Sequence, residues 1–236
     1  MKLKDLLRFP SMALLVGLLS LTGCATPPPV AFYSLDNGAP RVPEQMGNIA
    51  VLLGPVTLAG YLRSDALLQR QADGSLAQAP GKARWATGLQ QDIEQLLLRQ
   101  LAWRLNSQRL VLAPADPGFV ADVQVELSIT RLDSGPEQMA VLEAQWRLLD
   151  KAGKHLDSRL VALDERHQGD VADQVRVQSV LLQRLSAQLG GAIAEVHQAS
   201  AKSPAPVRPR AQPRAEAAPS RRPVEPIRTD MEVFRF

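Results

Sequence analysis

Three strand-like stretches that follow one another in the chain, the first two with clear alternation, restrict it more than any other feature. Asp122 to Arg131 sets Val123, Val125, Leu127 and Ile129 on one face and Gln124, Glu126, Ser128 and Thr130 on the other, the period of a half-buried strand. Met139 to Leu149 repeats the pattern with Leu142, Ala144, Trp146 and Leu148 together, and Asp150-Lys151-Ala152-Gly153 turns it into Lys154 to Leu163. The result is a three-strand meander. A wet face on Asp122 to Arg131 implies antiparallel pairing or a place near a sheet edge. The apolar face needs a cover, and two stretches with helical period provide it. From Trp85 onward Leu89, Ile93, Leu96, Leu97, Leu101 and Leu105 share one face; between Val171 and Val196, Val175, Leu182, Leu185, Leu189, Ile193 and Val196 do the same. Gly190-Gly191 interrupts the second helix and points to a close helix-to-sheet contact or a kink.

Shorter strands complete the expectation. Val30 to Leu35 is one, and Asn48 to Leu53, bounded by Gly47 and Gly54-Pro55, reads as a central strand covered on both faces. Ala66 to Gln71 and Ser75 to Gln78 flank Asp73-Gly74 as a hairpin, and Leu110 to Leu112 is a further short strand. The fold class expected is α/β of the α+β type: a single domain over residues 30–198 with a mixed, largely antiparallel sheet of about five to seven strands and two long amphipathic helices packed on one face.

The chain begins with Lys2, Lys4 and Arg8, continues through an apolar run from Met12 to Leu19, and reaches Leu21-Thr22-Gly23-Cys24. This is the layout of a secretory signal ending in a lipobox, and the run is too short to span a bilayer. The expectation is a signal peptide over 1–23, acylation of Cys24, and a short proline-rich tether over 24–29. By resemblance to the sorting rule of bacterial lipoproteins, Ala25 in place of an acidic residue implies the outer membrane as the destination. Cys24 is the only cysteine, so the fold holds by packing although the compartment is oxidising. Residues 24–198 carry 16 basic and 19 acidic side chains, and residues 199–236 carry 8 and 4. The basic excess thus belongs to the ends, which argues against a nucleic-acid partner. Residues 199–236, rich in Pro, Ala and Arg without apolar period, read as a disordered tail.

The residues give little chemistry. His155, His167 and His197 stand at no metal-ligand spacing, and no nucleophile elbow, phosphate loop or dinucleotide fingerprint occurs. The reading is a non-enzyme without metal or cofactor. Gly60-Tyr61-Leu62-Arg63, with Arg70 and Trp85 after it, offers Tyr and Arg as contact anchors. Tyr61, Leu62, Arg63, Arg70 and Trp85 are therefore candidate partner-binding residues; the competing reading has Tyr61 and Trp85 closing the edge of the core.

The order of these features resembles the PqiC/YmbA family. The resemblance rests on the lipobox, Phe32-Tyr33-Ser34-Leu35, an Ile-Ala-Val strand followed by Gly-Pro-Val, Tyr61-Leu62-Arg63-Ser64-Asp65, Leu-Leu-Gln-Arg, Trp85-Ala86 opening a helix, Asp-Val-Gln-Val-Glu-Leu, and Ala-Gln-Trp-Arg-Leu-Leu-Asp, spread over about residues 30–197. It implies an auxiliary lipoprotein of an ABC-type or MCE-domain intermembrane phospholipid transport system, held at the membrane through acylated Cys24, with MCE-domain or ABC transport proteins as partners and a homo-oligomer allowed. A lipoprotein activator of a peptidoglycan synthase is the competing class, and a cell-wall or lipid hydrolase a third.

Overall fold

A computed structural model describes residues 29–202. The signal peptide, Cys24, most of the tether and nearly all of the tail lie outside the described residues. In chain order the elements are β1 (Phe32–Tyr33), β2 (Val51–Leu58), a 3-10 turn (Gly60–Arg63), β3 (Leu68–Arg70), β4 (Leu76–Gln78), a second 3-10 turn (Pro80–Lys82), β5 (Arg84–Trp85), α1 (Leu89–Arg104), β6 (Leu110–Leu112), β7 (Val123–Gly135), β8 (Gln138–Asp150), β9 (His155–Glu165) and α2 (Val171–Lys202). The main sheet has the order β6-β2-β7-β8-β9, while β1 pairs with β5 and β3 with β4 in two small sheets.

The meander β7-β8-β9 is antiparallel throughout, whereas β2 runs parallel to both β6 and β7. On the covered face Val125 opposes Leu148, Leu127 opposes Trp146 and Ile129 opposes Ala144. These side chains share one core with Ile93, Leu97 and Leu101 of α1 and with Leu181, Leu185 and Leu189 of α2.

The opposite face of the sheet is half-buried to exposed along Gln124, Glu126, Ser128 and Thr130. The helices therefore lie on one face, as expected. The strand with the clearest alternation, β7, is nevertheless the middle strand of five. Its pairing with β8 is antiparallel, one of the two alternatives expected, and its wet face reflects the absence of a second layer among the described residues, not an edge position.

β2 corrects the sequence reading twice. It lies between two strands but is covered on one face only, since Pro55 and Thr57 are exposed. It also continues through Gly54-Pro55, where its pairing with β7 shifts by one residue between Leu53 and Val56. A bulge tolerates a proline that has no N–H to give. The extra residue changes the parity of the strand, so that Val51 and Leu53 before it, and Val56 and Leu58 after it, are all buried.

The N-terminal strand is shorter than the expected Val30 to Leu35 because its backbone passes to side-chain partners beyond Tyr33. The Leu35 N–H donates to Asp92 Oδ2 of α1 (3.1 Å) and the Asp36 N–H to Ser179 Oγ of α2 (3.0 Å). Gln100 Nε2 donates to the Asn37 carbonyl (2.6 Å), and Gln183 Nε2 to that of Asp36 (3.1 Å). The segment thus bridges both helices.

Gly190-Gly191 does not break α2, which runs through Lys202. A Cβ on Gly190 would meet Arg104 and Leu101 of α1 at 3.5–3.6 Å, so the close neighbour is a helix and not the sheet. Gly135 is constrained far more tightly: a Cβ there would lie 1.8 Å from the Arg70 carbonyl oxygen.

Two substitutions test this packing in opposite directions. Gly135→Ala must push β3 from β7 and should destabilise the domain by about 1–3 kcal/mol. Gly191→Ala, with nothing within 4 Å of the added carbon, should stabilise α2 by roughly 0.5–1 kcal/mol. Urea unfolding of both variants checks the pair.

Candidate partner-binding surface

The 3-10 turn at Gly60–Arg63 is set directly at the end of β2. The Ala59 N–H donates to the Ile129 carbonyl (3.0 Å), tying the turn's start to β7, and the Leu62 N–H closes on the Ala59 carbonyl (3.0 Å). This geometry turns Leu62 into the core, sends Tyr61 across the end of β7 and leaves Arg63 exposed.

Tyr61 meets a carboxylate that is 1 % exposed, Asp133. The Tyr61 hydroxyl donates to Asp133 Oδ2 (2.8 Å) and accepts the Leu132 N–H (3.2 Å). Arg70, on β3, grips the same carboxylate with Nε on Oδ1 (3.0 Å) and Nη2 on Oδ2 (2.7 Å). Arg131 Nε adds a bond to Oδ1 (3.1 Å), and its Nη1 lies 3.6 Å from Glu143. The two-pronged guanidinium contact is the strong form of such a pair.

The electrostatics follow from this arrangement. Burial pushes the Asp133 carboxyl up, but the hydrogen bonds from Arg70, Tyr61 and Arg131 outweigh it and hold the group below its ordinary range. Burial, reinforced by the bond to Asp133 and opposed by the Leu132 N–H, pushes the Tyr61 hydroxyl up to about 12. The bond to Asp133 raises Arg70 further still. At neutral pH all three are locked in their ordinary charge states. The cluster is a pin between β3, β7 and the turn rather than a proton-transfer site.

A buried amide ladder stands next to it. Ser134 Oγ donates to Gln174 Oε1 (3.1 Å), Gln69 Nε2 donates to the same oxygen (3.0 Å), and Gln178 Nε2 donates to Ser134 Oγ (3.0 Å). It joins β3 and β7 to α2. Gln178 Oε1 has no partner, and Gln178 borders a small cavity lined also by Tyr61, Leu62, Trp85 and Leu89.

The five sequence-derived candidates therefore gather in one region with different roles. Trp85, 7 % exposed, and Leu62 are core side chains. Tyr61 and Arg70 are committed to Asp133. Arg63 alone faces solvent and, among the described residues, enters no ion pair. Sequence reasoning missed Asp133 and the glutamines. A signal exists for two of them, because Gln174 and Gln178 are long polar residues four apart on a helical face whose other large side chains are apolar. Among the described residues, no group of three or more His, Cys, Asp and Glu could hold a metal ion, and no helix is long and apolar enough to cross a membrane.

A family model described as the ABC-type transport auxiliary lipoprotein component matches residues 33–190. A comparison with curated proteins returns no match. Among solved structures, a crystal structure of an uncharacterised protein is similar at 19 % identity and a TM-score of 0.57, covering 70 % of this chain and 98 % of its own. A DUF330 protein from Xanthomonas campestris is similar at 17 % identity and a TM-score of 0.57, covering 75 % and 97 %. At these identities the likeness concerns the fold.

The pin predicts the pH limits of the fold. The Asp133 contribution is complete above the ordinary carboxylate value of 3.8 and is lost as pH falls below it through the lower folded value. The Tyr61 contribution is complete below 10.0 and is lost as pH rises from there through about 12. Asp133→Asn should cost on the order of 3 kcal/mol at neutral pH and flatten the acid limb. Tyr61→Phe should flatten the alkaline limb, and urea midpoints measured across pH decide both.

Proposed function

This chain belongs to the ABC-type transport auxiliary lipoprotein family, and from that membership we propose that it is a non-enzymatic accessory of an MCE-type intermembrane phospholipid transport system. The observation that carries the reading is the family match over residues 33–190. In this reading Cys24 is acylated at the outer membrane and the folded domain meets the transport assembly in the periplasm. Each buried methylene of an acyl chain contributes about 0.8 kcal/mol, so several chains together make a stable anchor.

Arg63 is the contact residue of this proposal. Tyr61, Leu62, Arg70 and Trp85 act through it, by holding the turn that presents its guanidinium. A rigidly presented arginine loses less entropy on binding than one on a loose loop.

Two measurements test the reading. Cys24→Ser should move the protein from the membrane to the soluble periplasmic fraction, and intact mass should show acyl groups on the unsubstituted chain. Photo-crosslinking from position 63 in cells should trap an MCE-domain protein. Capture of a peptidoglycan synthase instead would sink the transport reading in favour of an activator.

A further inference from the structure

The described chain starts close to the anchor, and its first residues expose apolar side chains. Val30 is 41 % exposed and Phe32 64 %. β1 pairs in parallel with β5, which places Phe32 opposite Arg84 and Tyr33 opposite Trp85. Register partners project to the same side of a pair and neighbours alternate. Tyr33 and Trp85 accordingly turn inward, while Phe32 and Arg84 stand together on the outside. Lys82, two residues before Arg84, is exposed as well. Among the described residues neither cation enters an ion pair.

This patch is held rigidly. The Arg84 N–H donates to the Ala31 carbonyl (3.0 Å), the Ala86 N–H to that of Tyr33 (2.8 Å) and the Trp85 N–H to that of Asp65 (2.9 Å). It is also close to the anchor in sequence. Val30 follows Cys24 by only six positions, a span of at most about 20 Å even when fully extended.

We propose that Val30, Phe32, Lys82 and Arg84 form a second contact with the leaflet that holds the acyl chains, the apolar side chains entering the headgroup boundary and the two cations meeting lipid phosphates. This rests on the reading that Cys24 is acylated. Two features favour a lipid surface as the occupant. An aromatic beside unpaired cations suits an interface whose outer layer is anionic and whose inner layer is apolar. The short span to the anchor also holds the patch at high effective concentration, so that a contact too weak to retain a free domain suffices to orient a tethered one.

The test uses the acylated chain reconstituted in vesicles of three parts phosphatidylethanolamine to one part phosphatidylglycerol. Cys24 is the only native cysteine and acylation consumes its thiol, so a spin label on Phe32→Cys reports one position. Collisions of this label with oxygen should exceed those with an aqueous nickel chelate, whereas a label on Leu160→Cys, an exposed position of β9, should show the reverse. Equal nickel access at both positions would overturn the proposal. Protection at position 32 that depends on an added transport protein would assign the patch to that protein and overturn it too. Absence of acyl groups by intact mass would instead remove the anchoring reading. The proposal, which needs that anchor, would fall with it.

Discussion

A carboxylate with almost no access to water is stable only if its charge is met from several sides, and Asp133 is met from three. It sits near the end of the central strand β7. Its partners come from the turn after β2, from β3 and from β7 itself, so satisfying one buried charge forces these elements together. The amide ladder of Ser134, Gln69, Gln174 and Gln178 extends the same constraint into α2. Burial of polar groups at this density is costly unless each finds its partner. That cost makes the arrangement selective for one packing.

The pin also explains how a small surface feature is kept in place. Arg63 lies on a turn of four residues, and neither neighbour on its N-terminal side is free to move: Leu62 is packed in the core and Tyr61 is bonded to Asp133. Elsewhere on the domain, β1 and β5 hold Phe32 and Arg84 beside each other through backbone bonds. Both surfaces border Trp85, whose burial seats β5, and the β1–β5 patch is held further by the bridge that residues 35–37 make across α1 and α2. The described domain, which contains no disulfide, thereby keeps defined outer features through polar ties as well as apolar packing.

The meander, both helices and the β3-β4 hairpin are legible in the sequence because each is written in local periodicity: alternation for a strand with one wet face, a 3.6-residue period for a helix, and Asp73-Gly74 for a turn. The sheet order is not. The parity change at Gly54-Pro55 reads locally as the end of a strand, because nothing nearby in sequence tells that β7 lies alongside to pair with both halves. The roles of Tyr61 and Arg70 are equally hidden, since Asp133 lies 72 and 63 positions away from them in the chain and stands beyond the alternation that ends at Arg131.

By itself the sequence determined the element types, the packing of both helices on one face of the sheet and the set of residues from which the candidate surface is drawn. These are properties of neighbours along the chain. Only the tertiary structure decided that β7 is central, that Leu62 and Trp85 are core, that Tyr61 and Arg70 serve a buried carboxylate, and that Phe32 stands beside Arg84. Each of those facts depends on contacts between residues distant in sequence, and such contacts follow from how the whole core closes rather than from any local pattern.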